Sequence, residues 1–362
     1  MRYTHALIPV VMSVFITPLG QAAPPLVVTP KEVKPNVTKH ESITGQARWR
    51  LVWQDEFEGT QIDRQKWHLA NNCFGGGNDE QQCYQDHPSN AFVSDGVLSI
   101  VARKQTVSGP QFAEGMTGYD ANDSSKTQAY SSARLDSMHK GDWLYGRFEI
   151  RAKLPVGQGS WPAIWMLPTD WQYGPWAGSG EIDIMEAVNL TVSTAGSPPE
   201  DRVYGTLHYG AKAPGNVYSG AEYRLGNDAS PSDDFHIYAL EWEQDVIRWY
   251  VDGVHYATQT SAAWYSQYQD AQGQWQNAPD DAPFNQAFHL ILNLAVGGNW
   301  AGKVNQTGVD DSVFPQAMLV DYVRVYECVG ANDDSKGDGK GCGQYSADAK
   351  IVAGFPAPTL VH

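Results

Sequence analysis

The feature that most restricts the fold of this chain is a repeated alternation of apolar and charged residues without a helical period. In residues 147–154 the apolar side chains occupy even positions and the charged ones odd positions, which is typical of a strand with one buried face. Similar short apolar or alternating runs cover residues 235–243, 246–251, 288–296 and 319–326. Asp95-Gly96 and Asp252-Gly253 separate such runs and predict hairpin turns.

The sequence predicts neither long helices nor internal repeats. With 35 Gly and 21 Pro, the chain is interrupted too often for long helices. No segment repeats with a period of about 20 to 50 residues. The sequence therefore predicts an all-β sandwich of two antiparallel sheets.

The composition indicates a folded domain and argues against charged partners. The 362 residues are 42% hydrophobic and 18% charged, which suffices for a large buried core. Lys and Arg number 25 against 41 Asp and Glu, so the formal charge is −16. Nucleic acids and polyanionic substrates need an excess of cationic side chains, and we therefore expect neither as a partner.

The N-terminal segment resembles a secretory signal. Arg2 precedes an apolar run at residues 6–19 and small residues at 20–23, which predicts a signal peptide over residues 1–22 with cleavage after Ala22. The run is too short to span a bilayer and no second one follows, so we expect no membrane span and a secreted protein, extracellular or periplasmic. We expect residues 23–47 to form a linker or extended arm, residues 48–328 a folded domain and residues 329–362 a C-terminal tail, which begins with a polar, Gly-rich segment.

The four cysteines are disulfide candidates, because an exported protein meets an oxidising environment. Three pairings are possible. We expect Cys73 with Cys83 and Cys328 with Cys342, since each pair closes a short Gly-rich loop. Free buried thiols are the alternative.

The most informative segment is a strand-like run at residues 180–188 that contains three carboxylates. In a regular strand Glu181 and Asp183 share one face, whereas Glu186 points to the other. One extra residue, a β-bulge near Met185, would return Glu186 to the face of the other two. The three carboxylates would then form one row.

Such a row is costly, because closely spaced like charges cannot all ionise without raised pKa values. A retaining glycosidase uses this arrangement, since it needs one ionised nucleophile and one protonated acid whose carboxyl groups lie about 5–5.5 Å apart. An exposed acidic strand face is the alternative. The nearby Trp161 and Trp165 share a strand face and suit a neutral carbohydrate cleft, although core tryptophans would give the same pattern.

Residues 49–328 resemble glycoside hydrolase family 16, and specifically its laminarinase branch of endo-β-1,3-glucanases. Residues 181–186 (EIDIME) match the family's bulged E-x-D-x-x-E motif and not the E-x-D-x-E form of lichenases. The other similar blocks follow in the family's order: VWQDEF at 52–57, YGRFEIRAKLP at 145–155, WPAIWMLP at 161–168, GTLHY at 205–209, WYVDG at 249–253, LILNLAVGGNW at 290–300 and VDYVRVY at 320–326.

This resemblance implies a fold, a reaction and a set of site residues. The implied fold is a jelly-roll β-sandwich with a concave substrate cleft, and the implied partner is a β-1,3-glucan bound by a monomer. Glu181 resembles the nucleophile, Glu186 the acid/base and Asp183 the carboxylate that tunes them. The resemblance also assigns substrate contacts to Asn78, Glu80, Arg134, Trp161, Trp165, Trp176, His208 and Trp300. For His208, a hydrogen-bonded sheet histidine is the alternative.

Catalysis in this family needs no cofactor, but a structural calcium ion is implied on the face away from the cleft. Glu56, the carbonyl of Gly96 and Asp321 lie in the blocks that resemble this site. An oxygen-only ligand set suits a hard cation. Alternatively, these residues cap turns and strand ends.

Three functions remain open at this point. A secreted, retaining endo-β-1,3-glucanase is favoured, because all three motif carboxylates are present. A non-catalytic β-glucan-binding protein would be expected to lack at least one of them. A hydrolase of another neutral polysaccharide, such as mixed-linkage glucan or agarose, is the third. Carrageenan is a poor candidate, because a sulfated polymer needs basic subsites.

Overall fold

The computed structural model describes residues 48–227, 229–279, 281–330, 341–343 and 345–359. The predicted signal peptide and linker lie outside the described residues. The described strands are β1 (Arg48–Asp55), β2 (His68–Leu69), β3 (Gln82–Tyr84), β4 (Ala91–Ser94), β5 (Val97–Gly109), β6 (Lys126–Ser132), β7 (Arg134–Asp136), β8 (Asp142–Trp143), β9 (Gly146–Lys153), β10 (Ser160–Pro168), β11 (Glu181–Glu186), β12 (Arg202–Gly210), β13 (Asn216–Arg224), β14 (His236–Glu243), β15 (Val246–Val251), β16 (Val254–Thr260), β17 (Gln267–Gln269), β18 (Trp275–Asn277), β19 (Phe288–Val296), β20 (Gln316–Val329) and β21 (Lys350–Ile351).

Two large, mostly antiparallel sheets form the sandwich, which confirms the predicted fold class. The outer sheet has the order β21-β16-β15-β14-β9-β20-β5-β6-β3, with β1 beside β20 and β4 beside β5. The cleft sheet has the order β13-β12-β11-β10-β19-β7-β2, with β8 beside β19. β17 and β18 form a separate ribbon. The one α-helix of the described residues, α1 (Gly298–Ala301), is a single turn, and no described helix has the length and hydropathy needed to cross a membrane.

The alternating patterns correspond to strands as predicted. In β9, Phe148, Ile150 and Ala152 are buried, whereas the charged residues between them are partly exposed. Both predicted hairpin turns join neighbouring strands. Asp95 and Gly96 have φ values of 53° and 72°, and Asp252 and Gly253 have 50° and 78°. Two successive positive φ values are typical of the tight turn that matches the twist of an antiparallel pair.

Large aromatic side chains fill the space between the sheets. Trp242, Trp249 and Phe288 are fully buried. Each indole has a hydrogen-bond acceptor, which offsets the cost of burying its N–H group. Trp242 Nε1 donates to the carbonyl of Phe284 at 3.1 Å, and Trp249 Nε1 donates to the carbonyl of Asp183 at 2.9 Å. The outer sheet therefore supports β11 directly, and truncating such a side chain to Ala would cost about 3–5 kcal/mol.

The described part of the tail packs against the outer sheet, which the sequence does not predict. β21 pairs in parallel with β16, and the Val352 N–H donates to the carbonyl of Thr258 at 2.8 Å. Val352 is 4% exposed and belongs to the core. Residues 331–340, most of the predicted Gly-rich loop, lie outside the described residues.

Both predicted disulfides are present. Cys73 bonds to Cys83, which closes the loop that contains Asn78 and Glu80. Cys328 bonds to Cys342, which joins the end of β20 to the tail. No described cysteine is free.

Candidate active site

A bulge in β11 aligns the three carboxylates. Asp183 pairs with Thr206 of β12 and Glu186 pairs with Tyr204, so three steps along β11 match two steps along β12. The pairing with β10 shifts at the same place, because Met185 faces Ile164 while Asp183 faces Trp165. The extra residue restores the parity of Glu186. The structure thus confirms the predicted bulge and brings the three motif carboxylates to one face of the cleft sheet.

Each glutamate of the row is fixed by an indole. Trp176 Nε1 donates to Glu181 Oε2 at 2.8 Å, and Trp161 Nε1 donates to Glu186 Oε1 at 2.9 Å. Both indoles therefore lie in the cleft, where Trp161 and Trp176 were predicted. A neutral N–H donor orients a carboxyl group without adding a positive charge beside it.

His208 provides the nearby positive charge. It lies opposite Glu181 across the β11–β12 pair, with its Nε2 atom 3.6 Å from Glu181 Oε1 and 3.3 Å from Asp183 Oδ2. Burial disfavours its charged form, yet the charges of Glu181 and Asp183 outweigh burial and raise the pKa of His208 to about 10. The ring is cationic at neutral pH, so it balances part of the carboxylate charge.

The two glutamates hold protons to different degrees. Burial, and next the charge of Asp183, raise the pKa of Glu181 to about 7, against the lowering influence of His208 and Trp176. The same two causes raise the pKa of Glu186 well above its usual range. When the pKa values of two neighbouring carboxyl groups differ, one group can act as an acid and the other as a base. Here Glu186 keeps its proton more tightly than Glu181.

One group of described residues has the composition of a metal site. Glu181, Asp183 and His208 offer ligand atoms that all lie within 4.8 Å of one another. A metal ion binds only the unprotonated imidazole. Because His208 has a pKa of about 10, a metal would first have to displace its proton. The group therefore fits an ion-pair cluster better than a metal centre.

A second aromatic cluster borders Glu186. The rings of Trp161 and Trp300 meet edge to face with centroids 5.3 Å apart, and Tyr204 meets Trp300 at 5.2 Å. The predicted cleft residue Trp300 is thus in contact with the Glu186 end of the row. Tyr204 is a site residue that sequence reasoning missed. Its one signal is its position on β12 four residues before His208, on the same strand face.

The predicted loop residues Asn78 and Glu80 lie on the side of β11 that is opposite to β12, beyond β10 and β19. Glu80 is 6% exposed and accepts hydrogen bonds from Gln82 Nε2 at 2.6 Å and Asn78 Nδ2 at 3.4 Å. Burial raises its pKa in spite of these bonds. Glu80 also forms a β-bridge with Gly297, the residue that precedes α1. The loop is therefore built into the cleft wall.

A buried chain of hydrogen bonds links this loop to the cleft floor. The Tyr84 hydroxyl donates to Glu80 at 3.4 Å and accepts from Asn293 Nδ2 at 3.0 Å. Asn293 in turn accepts from Trp165 Nε1 at 2.6 Å. The Arg134 guanidinium lies 4.9 Å from the centre of the Trp165 ring. The structure thus brings the predicted Glu80, Trp165 and Arg134 together, and the linking residues Tyr84 and Asn293 are ones that the sequence did not indicate.

The predicted calcium ligands approach one another at the point where β1 ends and β5 begins beside β20. Asp55 pairs with Val323, and Leu98 pairs with Val320, so Glu56 and Gly96 both lie near Asp321. Both carboxylates already contact arginines. Glu56 accepts a hydrogen bond from Arg324 Nε at 2.8 Å, and Asp321 accepts one from Arg151 Nη1 at 3.0 Å. A calcium ion would compete with these arginines. The calcium site stays a prediction.

Comparison with known proteins agrees with this geometry. The family model described as "Glycosyl hydrolases family 16" matches residues 78–312. The chain belongs to this family. The resemblance to family 16 seen in the sequence is therefore confirmed, and the chain is a glycoside hydrolase.

Relatives within the family include named glucanases. Over 82% of its length the chain is 40% identical to the glucan endo-1,3-beta-glucosidase A1 of Niallia circulans, of which it spans 42%. Over 78% of its length it is 41% identical to the beta-glucanase of Rhodothermus marinus and spans 86% of that protein. The structure of the laminarinase from Rhodothermus marinus superposes with a TM-score of 0.58 at 38% identity and covers 78% of this chain and 99% of its own.

Proposed function

We propose that this family 16 chain is a secreted, retaining endo-β-1,3-glucanase that cleaves internal bonds of laminarin-type glucans. The observation that carries the proposal is the bulged strand β11, which places Glu181, Asp183 and Glu186 on one face within a cleft lined by indoles. The similarity to glucan endo-1,3-beta-glucosidase A1 and to a laminarinase supports the substrate class.

In the first half of the proposed reaction, Glu186 donates its proton to the glycosidic oxygen while Glu181 attacks the anomeric carbon. The C–O bond to the leaving chain breaks and a glycosyl ester forms on Glu181. The raised pKa of Glu186 supplies the proton near neutral pH. His208 and the Trp176 N–H favour the ionised form of Glu181, which the attack requires.

In the second half, water attacks the anomeric carbon of the ester and Glu186 takes the proton of this water. Ester formation removes the negative charge of Glu181, so the pKa of Glu186 falls and its carboxylate becomes available as a base. Asp183 is 2% exposed and contacts His208 at 3.3 Å. We assign it the role of holding His208 and keeping the proton on Glu186.

The cleft chemistry supports a neutral polymer as substrate. Indoles of Trp161, Trp165, Trp176 and Trp300 present aromatic faces and edges around the row. Aromatic rings pack well on the apolar faces of uncharged sugar rings. The formal charge of −16 disfavours a sulfated polymer.

The proposal also covers export, domain organisation, oligomeric state and calcium. Two disulfides support export to an oxidising compartment, with residues 1–22 as the signal peptide, 48–328 as the catalytic domain and a monomer as the working state. Catalysis requires no cofactor. A calcium ion at Glu56, Gly96 and Asp321 would raise the melting temperature by mass action, and an unchanged melting temperature after chelation would contradict it.

Incubation with four polymers tests the function. The purified protein is mixed with laminarin, mixed-linkage glucan, agarose and carrageenan, and products are separated by size. We expect a ladder of short oligosaccharides from laminarin, as internal cleavage requires. Activity on agarose but not on laminarin would contradict the substrate, and binding of laminarin without cleavage would indicate a β-glucan-binding protein.

A further inference from the structure

One large aromatic side chain on the cleft sheet has no part in the proposed reaction. Tyr218 on β13 is 68% exposed. It lies directly opposite His208 in the β12–β13 pair, and the two ring centroids are 5.6 Å apart at an angle of 34°. Cross-strand partners share a face of the sheet, so Tyr218 stands on the face that carries the carboxylates.

Tyr218 continues a line of rings that starts at the carboxylate row. Trp176, which donates to Glu181, lies 5.6 Å from the His208 ring, and His208 lies 5.6 Å from Tyr218. Two strand spacings, about 10 Å, separate β13 from β11. Tyr218 therefore lies farther from the reacting bond than a side chain that contacts the sugar next to this bond.

The cleft-facing position of β13 next to Tyr218 carries no side chain. The next cleft-facing position of β13 is Gly220, which pairs with Thr206. A Cβ added at Gly220 would lie 2.2 Å from the carbonyl oxygen of Gly205, so no other residue fits there without a shift of the backbone. Tyr218 thus has no side-chain neighbour at this position of β13, and its exposed ring is available to a ligand.

The order of strands fixes the side of the cleft to which Tyr218 belongs. Arg134, Trp165 and the loop of Asn78 and Glu80 lie on the β10 side of β11. Tyr218 lies on the opposite side, beyond β12. We assign the sugars that stay on the enzyme to the loop side, so the sugars that leave lie on the β13 side.

We propose that Tyr218 is the aromatic platform of a leaving-group subsite, on which a glucosyl unit beyond the scissile bond stacks. This assignment rests on the proposed function and extends it to a residue that determines how the enzyme holds its polymer. The ligand is one uncharged pyranose ring of the glucan. Its apolar face packs on the phenol ring.

The test compares two substrates that differ only beyond the scissile bond. Laminari-oligosaccharides fill the leaving-group side with sugars, whereas an activated aryl β-glycoside of laminaribiose places an aryl group there. For Tyr218→Ala we expect kcat/KM on the oligosaccharides to fall about tenfold, the size of one aromatic stacking contact. On the aryl glycoside we expect no change. Tyr218→Phe and Tyr218→Trp should keep the wild-type kcat/KM on both.

A matched control is available outside the cleft. Tyr345 in the tail is 76% exposed and lies 5.5 Å from the Arg248 guanidinium. Tyr345→Ala removes a similarly exposed phenol ring and should change neither substrate's kcat/KM. Equal melting temperatures of the two variants would show that both fold.

Three results would overturn the subsite. Oligosaccharide kcat/KM that is unchanged in Tyr218→Ala would show that the ring contacts no sugar. An equal fall on both substrates would show that Tyr218 contacts the sugars that stay on the enzyme or, if the pH profile shifts as well, that it acts only through His208. A wild type that cleaves no β-1,3-glucan would overturn the proposed function and, with it, the role of Tyr218. An active wild type with an unaffected Tyr218→Ala variant would overturn the role of Tyr218 alone.

Discussion

The two sheets bury carboxylates in opposite ways. In the outer sheet three buried carboxylates contact an arginine: Glu241 with Arg147 at 2.7 Å, Glu243 with Arg248 at 2.6 Å and Asp321 with Arg151 at 3.0 Å. In the cleft sheet, the three carboxylates of β11 share the imidazole of His208 and two indole N–H groups. Arginines balance these charges in the outer sheet, whereas the three carboxylates of the cleft sheet share one cationic side chain, His208.

This difference separates structural from functional burial. A buried charge with a good partner is tolerated, and removing the partner is destabilising. A buried charge without enough partners raises its own pKa, which costs stability and supplies a proton donor near neutral pH. We therefore expect changes in the cleft row to affect chemistry, and changes in the outer-sheet pairs to affect folding.

The largest effect is expected from the row itself. Glu181→Gln removes the proposed nucleophile while keeping the Trp176 contact, so kcat on laminarin should fall by about 10⁴-fold or more. The matched outer-sheet variant Glu243→Gln should keep its kcat, because it lies far from the reacting atoms. Hydrolysis rates at one temperature below both melting points measure this. Comparable losses in the two variants would remove the distinction between the sheets.

The outer-sheet pairs should show the reverse behaviour. Arg147 donates to Glu149 at 2.6 Å and to Glu241 at 2.7 Å. Arg147→Met leaves Glu241 buried with less positive charge and should lower the free energy of unfolding by about 3–5 kcal/mol. Urea unfolding measures the loss, and kcat should stay at the wild-type value. The double variant Arg147→Met/Glu241→Gln should recover part of the stability; a single variant as stable as wild type would contradict the account.

The sequence predicted the parts of this picture that depend on local pattern. Strand β9 and the bulge of β11 follow from side-chain parity, because a period of two assigns each residue to a face. Tyr218 was missed because parity does not show which face of β13 borders the cleft, and for Tyr204 the face that it shares with His208 is the one signal in the sequence. The β16–β21 pairing was missed because two residues of parallel strand in a polar segment leave no periodic pattern.

Long-range partners were equally hidden. The arginine contacts of Glu56 and Asp321 join residues 268 and 170 positions apart. The hydrogen bond between Asn293 and Tyr84 spans 209 positions. No spacing rule connects such residues, and their contacts follow only from the order of strands in the sheets.

The two disulfides extend the comparison to covalent links. Each closes a short loop, of 10 or 14 residues, so loss of either should cost about 3 kcal/mol of unfolding free energy. Cys73→Ser/Cys83→Ser should in addition raise KM for laminarin, since this loop carries Asn78 and Glu80. Cys328→Ser/Cys342→Ser should leave KM unchanged. Melting curves and initial rates measure both, and a KM effect confined to the tail pair would contradict the assignment.

The smallest expected effect is a shift of pH dependence at His208. The ring is cationic below its pKa of about 10 and lowers the pKa of Glu181, which is about 7. Without this charge Glu181 would lose its proton only at higher pH, so His208→Asn should move the acid limb of kcat/KM upward by about one pH unit. Because the folded-state pKa is raised, the stability that His208 contributes should disappear as pH rises from 6.5 through about 10. An unmoved limb would contradict the coupling.

Azide trapping, with analysis of the product's anomeric configuration, tests most directly the proposed roles of Glu181 as nucleophile and Glu186 as acid/base. In Glu181→Ala, azide should occupy the vacated nucleophile space and give the α-glycosyl azide. In Glu186→Ala, an activated aryl β-glycoside needs no proton donor, so the ester on Glu181 should form and azide should intercept it to give the β-glycosyl azide. Proton NMR of the products distinguishes the two anomers. Opposite configurations would show that the two roles are exchanged, and inverted products from the wild type would show that the reaction does not retain configuration.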